Sequence, residues 1–175
     1  MRIVITFTFL YFLLADISAI GKPKKVESIP FEMVGSYVII KVKINDSSTL
    51  SLILDSGIRN TIITELMPGD KISLNYSNVK ELMGLGGGEH LEAYTSNYNT
   101  LKIGKLKLPY KTVYVLKNDL FNLSKHTGTK INGLIGVDFF QDYVIEIDYS
   151  HKRVRFYDPK TFSLPNGYEV LPITI

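Results

Sequence analysis

The sequence predicts an all-β protein, a sandwich or barrel of short strands. Two observations predict it. Runs of alternating apolar and polar residues recur along the chain, separated by Gly, Asn, Asp and Ser turn clusters. No stretch shows the 3.6-residue periodicity of a long amphipathic helix. The 175 residues, 45% hydrophobic and 21% charged, suffice for one domain with its own core.

The N-terminus stands apart. Met1-Arg2 is a short basic start, Ile3 to Ala15 is apolar apart from two Thr residues, and Ile17-Ser18-Ala19 offers a small residue for cleavage. This is the pattern of a secretory signal peptide over residues 1–19, too short to span a bilayer comfortably. Its removal takes away Arg2 and Asp16, leaves the formal charge at +3, and leaves no transmembrane segment. Export follows as an expectation, to the periplasm, the cell envelope or the extracellular space. The polar residues 20–28, with Lys22-Pro23-Lys24-Lys25, are expected to be a linker, followed by a single domain over 29–175.

Within that domain, Ile29-Pro30-Phe31 begins an edge strand, where Pro is tolerated. Tyr37 to Ile44 places Val38, Ile40, Val42 and Ile44 on one face and Lys41 and Lys43 on the other. Asn45-Asp46-Ser47-Ser48 turns the chain, and Thr49 to Leu54 returns as the second arm of a hairpin. Thr61 to Thr64 is a further strand, and Met67 to Asn78 is expected to be irregular. Val79 to Met83 leads into Gly84-Leu85-Gly86-Gly87-Gly88, where four glycines break regular structure. Tyr94–Ile103 and Leu106–Leu116 are strands joined at Gly104-Lys105. Lys117 to Lys130 is loop-like with one helical turn. Ile131 to Gly136 leads into a short helix near 137–142, strands at Tyr143–Tyr149 and Arg153–Tyr157, and a last strand at Tyr168–Ile175.

Composition excludes several function classes. With no cysteine there are no disulfides, thiolate metal sites, cysteine nucleophile or lipoprotein anchor. A net charge of +3 with scattered lysines gives no case for nucleic acid. The three histidines are isolated, so no metal site is expected. The glycine cluster lacks the Lys-Ser/Thr of a phosphate loop. Ser56 lacks the Gly-x-Ser-x-Gly elbow, because Leu54 and Ile58 flank it.

The chemistry concentrates at Leu50-Ser51-Leu52-Ile53-Leu54-Asp55-Ser56-Gly57. An apolar strand ends in a carboxylate, which is costly to desolvate, and a Ser-Gly turn follows at once. With the glycine-rich hairpin at 84–88 and the later Leu134-Ile135-Gly136, followed by Val137-Asp138-Phe139-Phe140, the order resembles the lobe of a retropepsin-like aspartic protease over residues 29–160. The resemblance implies a closed or partly open barrel with a glycine-rich flap hairpin and one short helix. It implies that Asp55 is the catalytic carboxylate and that Ser56 and Gly57 support the catalytic loop. Gly84, Gly86, Gly87 and Gly88 would form the flap, and Leu134, Ile135 and Gly136 the strand beside the catalytic loop. The implied substrate is an extended peptide, cleaved without metal or cofactor.

Two carboxylates sharing one proton are needed to activate water and protonate the amide. Asp70, Asp119, Asp138, Asp142 and Asp148 lack the following Ser/Thr-Gly. The second carboxylate is therefore expected from another copy of the motif, and the resemblance to retropepsins implies a symmetric homodimer in which Asp55 of each copy meets at the two-fold axis. Leu171-Pro172-Ile173-Thr174 is similar to Ile29-Pro30-Phe31-Glu32, so the first lobe of a two-lobed protease is the other route to a pair. Family members commonly carry Ala and a small hydroxyl residue after the Gly, where this chain has Ile58-Arg59-Asn60-Thr61. A non-catalytic peptide-binding or interaction module on the same barrel is the alternative function.

Overall fold

The computed structural model describes residues 23–83, 90–139 and 141–172. It contains eleven strands among the described residues: β1 (Lys25–Pro30), β2 (Glu32–Val34), β3 (Tyr37–Ile44), β4 (Leu50–Leu54), β5 (Thr61–Ile63), β6 (Tyr76–Met83), β7 (His90–Ile103), β8 (Leu106–Leu116), β9 (Gly133–Ile135), β10 (Val144–Asp148) and β11 (Arg153–Tyr157). One short helix, α1 (Leu123–Thr127), and a 3₁₀ turn at Val137–Phe139 complete it.

Neighbouring strands run β3-β4-β9-β5-β8-β7, and β7 returns to β3 through Lys43–Lys102 and Ile44–Leu101. That return closes a six-stranded barrel, with β2 paired to β3 and β6 to β7. Closure removes the open edges that a flat sheet would expose. β1, β11 and β10 form a separate three-stranded antiparallel sheet, in that order. The all-β barrel and single short helix expected from the sequence are therefore present.

The core follows from the alternation. Ile40, Val42 and Ile44 of β3 and Leu50 and Leu52 of β4 are fully buried inside the barrel with Ile63, Val113 and Ile135. The same cluster takes in Ile29, Val154 and Phe156 of the small sheet, so sheet and barrel share one core. Phe139 and Phe156 meet edge-on at 5.2 Å, a favoured aromatic geometry. Ile39 and Ile53 point the other way and are buried with Ile131. β4 is thus covered on both faces, which is why its sequence is a continuous apolar run.

Five expectations need correction. The linker reading of 20–28 fails from Lys25 onward, because Lys25–Pro30 pairs with β11; polar strands are held by pairing that local composition does not show. The irregular stretch ends earlier than expected, since β6 starts at Tyr76 against Ser96. β7 starts at His90 rather than Tyr94. No strand forms over 168–172, where Tyr168, Val170 and Leu171 are exposed; residues 173–175 lie outside the described residues. The short helix expected near 137–142 is the 3₁₀ turn Val137–Phe139. The signal-peptide residues 1–19 also lie outside the described residues.

The small sheet carries a charge network. The Asp148 carboxylate accepts from the His151 backbone N–H at 3.0 Å and meets Arg155 at 2.7 Å. Arg155 also reaches Glu146, which the Tyr157 hydroxyl contacts at 2.6 Å. The His151 amide first, then Arg155 and the His151 ring, hold Asp148 down to about 2 against an ordinary 3.8. A carboxyl depressed on folding contributes stability that is present above its unfolded value and is lost as pH falls through its folded value. Acid unfolding followed by circular dichroism is therefore expected to show wild-type stability declining between about pH 4 and pH 2. Asp148→Asn is expected to lose that part of the pH dependence and to be less stable at pH 6. A variant with the same acid profile as wild type would show that the network does not act on folding.

Candidate active site

β4 delivers Asp55 to the mouth of the barrel. The strand runs parallel to β9 in the register Leu52–Gly133, Ile53–Leu134 and Leu54–Ile135. The ladder ends with the Asp55 N–H donating to the Ile135 carbonyl at 3.0 Å. Beyond this point the chain turns. The Gly57 N–H donates to Asp55 Oδ1 at 2.8 Å, an Asx turn that fixes the carboxylate by its own loop. Leu134, Ile135 and Gly136 therefore lie beside the Asp55 loop.

β9 threads between β4 and β5, parallel to one and antiparallel to the other. Two glycines make the passage possible. A Cβ on Gly133 would stand 2.0 Å from the Ile62 carbonyl oxygen, and one on Gly136 2.4 Å from that of Ile58 and 2.6 Å from that of Arg59. These are backbone atoms that cannot step aside. Past Gly136, the Val137 N–H donates to the Ile58 carbonyl at 2.8 Å and the Asp138 N–H to the Arg59 carbonyl at 2.9 Å. The Asn60 side-chain amide donates to Asp138 Oδ2 at 2.7 Å, and Lys111 Nζ donates to the Asp138 carbonyl at 2.7 Å. Asn60 thus braces the loop from outside rather than bonding Asp55.

Asn132, wholly buried just before β9, ties the far end. Its Oδ1 accepts from the Ser51 N–H at 3.0 Å. Its amide donates to the Glu65 carbonyl at 3.2 Å and to Asp70 at 2.8 Å. Its own carbonyl accepts from Thr64 at 2.9 Å. Burial pushes the Asp70 carboxyl up, but Lys130, the Met67 N–H and Asn132 outweigh it and hold the group below its ordinary value. Asp70 is thus a structural anion.

Asp55 opens on a cleft of about 890 Å³ between its loop and the β6–β7 hairpin. Ile58, Ile62, Leu82, Leu91, Phe121 and Leu134 give it apolar walls. The hairpin arms thus stand over Asp55 as a flap would. Gly84, Gly86, Gly87 and Gly88, read as its tip, lie outside the described residues. Ser56 faces elsewhere: it lines a second concavity of about 440 Å³ with Tyr37, Val38, Ile145 and Ile147. Among the described residues no group of three or more His, Asp or Glu is arranged to hold a metal, and no helix is long and apolar enough to cross a membrane.

Sequence reading missed Asn132, the Asn60–Asp138 brace and Lys111. An Asn between Ile131 and Gly133 in an apolar run was the available signal for the first, since a buried amide must be bonded. Nothing local marked the others.

A barrel threaded by β9 beside an Asp-Ser-Gly loop, with a hairpin over the cleft, defines the lobe of an acid protease. In agreement, the family model described as aspartyl protease matches residues 40–139, from mid-β3 to the 3₁₀ turn. The chain belongs to the aspartyl protease family. A search of curated proteins returns no match to it.

Because Gly136 has no room for a methyl, Gly136→Ala is expected to cost roughly 2 kcal/mol or more in urea unfolding. Asp138→Ala leaves the Asn60 amide without its carboxylate and is expected to cost about 1–3 kcal/mol. Asp138→Asn keeps an acceptor for Asn60 and is expected to retain most of the stability. Wild-type unfolding midpoints in both Ala variants would show that the brace carries no load.

Proposed function

We propose that this protein is an aspartic endopeptidase of the retropepsin-like type that works as a homodimer, with Asp55 of each copy forming the catalytic pair. The observation that carries the reading is the placement of Asp55: it ends a buried strand, is held by β9, and opens on an apolar cleft beneath a hairpin.

The chemistry follows from two carboxylates at close range. Both cannot ionise together, so they share one proton and titrate as a unit. The ionised one takes a proton from a bound water as that water attacks the peptide carbonyl carbon. The protonated one donates to the carbonyl oxygen. Collapse of the tetrahedral intermediate breaks the C–N bond, with a proton delivered to the leaving amine. Gly57 leaves space beside the carboxylate, and the edges of the hairpin would bond an extended substrate backbone.

Pairing of two copies is supported by the other side of the loop. There Ser56 faces a concavity walled by Ile145 and Ile147 of β10. β10 is an end strand of its sheet and has no second neighbour among the described residues. Tyr37 and Tyr149 at its rim are 43% and 60% exposed, apolar surface that a second copy would cover. Export is part of the same reading, on the strength of Met1-Arg2 and the apolar run after it.

A second reading has its own observation. Asn60 bonds Asp138 and not Asp55, and Ile58-Arg59 replaces the small residues common in the family. A non-catalytic peptide-binding module would keep the cleft and dispense with the pair.

Cleavage of an unstructured peptide library is the test, from about pH 3 to pH 8, a range spanning the ordinary carboxylate and His values. Asp55→Asn is expected to lose at least about a hundredfold in rate. Equal activity in both proteins overturns the assignment, and peptide binding without cleavage by the wild type favours the module. In sedimentation, active wild type is expected to run as a dimer. Tyr37→Asp, at the exposed rim of the Ser56 concavity, is expected to be a folded monomer with no activity; an active monomer would refute the shared site.

A further inference from the structure

The inner face of the β6–β7 hairpin is apolar at three of four positions. Opposite pairs Lys80–Ala93 and Leu82–Leu91 project from it toward the barrel, and Ala93, Leu82, Leu91, Tyr114 and Ile62 pack together beneath. Lys80 is the exception. Its ammonium lies 5.6 Å from the centre of the Tyr114 ring and 3.5 Å from its hydroxyl. Lys80 is solvent-exposed at the edge of the cleft, where the Tyr114 ring gives its ammonium a cation–π contact, and no carboxylate pairs with it among the described residues.

Arg59 faces the same cleft from the Asp55 loop. Its backbone is fixed by the Asp138 N–H, yet its exposed side chain forms no ion pair among the described residues. Asp55 and Glu81 are the acidic groups lining the cleft. Asp55 Oδ1 is engaged by Gly57, and Glu81 reaches out to His90 at 3.6 Å. Two cations therefore border an apolar space without an anion of their own. Low-dielectric walls strengthen their field.

We infer that the cleft selects peptides carrying an acidic side chain next to a bulky apolar residue. The apolar walls take the bulky side chain, and Arg59 and Lys80 take the carboxylate. Arg59 offers a planar two-donor fork and Lys80 a point charge, both suited to a carboxylate. The inference rests on the peptide-cleaving reading for its name as substrate selection, but its chemistry is one of binding and is tested as such.

The experiment uses C-terminally amidated peptides with a fixed Leu followed by Glu, Gln or Lys, and a parallel set with free C-termini. Binding to Asp55→Asn protein is read by fluorescence anisotropy, and cleavage by wild type as kcat/KM. Glu is expected to exceed Gln by about tenfold or more in affinity, the range of a charge-assisted hydrogen bond. Lys80→Glu and Arg59→Glu are each expected to remove that preference and move it toward Lys, while both proteins keep the wild-type melting temperature within a few degrees. Equal binding of Glu and Gln peptides, or no binding, overturns the inference, as does a preference unchanged in both variants. A preference confined to free C-termini places the carboxylate at the chain end and overturns the side-chain assignment. A Glu preference in binding with no cleavage of any peptide upholds the inference and refutes the protease reading alone.

Discussion

The tight passage of β9 between β4 and β5 is the constraint on which the candidate site depends. A strand can run this close to two neighbours and a loop only if its backbone carries no side chain at the crossing points, hence Gly133 and Gly136. Close approach is what lets the Asp55 and Val137 amides complete bonds on either side of the turn. The Asp55 loop is therefore held by backbone bonds from a neighbouring strand, and its geometry does not rely on long flexible side chains. Preorganisation of this kind is what a catalytic or binding carboxylate requires, because reorientation at the moment of use would cost free energy.

Around that passage the polar groups are arranged in two layers. Asn132 and Asp70 lock the entry to β9, and Asn60, Asp138 and Lys111 lock its exit. Each is substantially covered and each is bonded, as buried polar groups must be. The apolar core makes the barrel stable, but an apolar core alone tolerates small shifts in register. The bonded polar groups at both ends of β9 specify one register and so one position for Asp55.

The two faces of the Asp55 loop differ in a way that bears on function. One side is a large cleft with apolar walls, roofed by a hairpin and bordered by Arg59 and Lys80. The other is a smaller concavity against the open edge of β10. A single chain supplies one Asp-Ser-Gly loop, and acid–base hydrolysis by carboxylates needs two. The Asp55 loop thus separates two concavities of different size and lining.

Much of this was legible in the sequence. Period-two alternation placed β3, β4, β8 and β11, because a strand half-buried in a barrel must alternate or, when covered on both faces, be apolar throughout. The carboxylate ending such a run, followed by Ser-Gly, marked the site, because a charge at the end of a buried strand requires a local reason. Which strands meet was not legible. Lys25–Ser28 is polar, yet it pairs across the chain with β11, while residues 168–172, expected as part of a last strand, make no strand pairing among the described residues. Lys43, Lys102 and Lys107, scattered along the chain, stand opposite one another on three strands. The bond from Asn60 to Asp138 and the place of Lys80 over Tyr114 likewise join residues 78 and 34 positions apart. The sequence by itself determined the strands, the turn chemistry and the carboxylate. Only the tertiary structure decided what faces that carboxylate, because strand pairing is set by long-range packing and barrel closure, whose partners leave no mark on local periodicity.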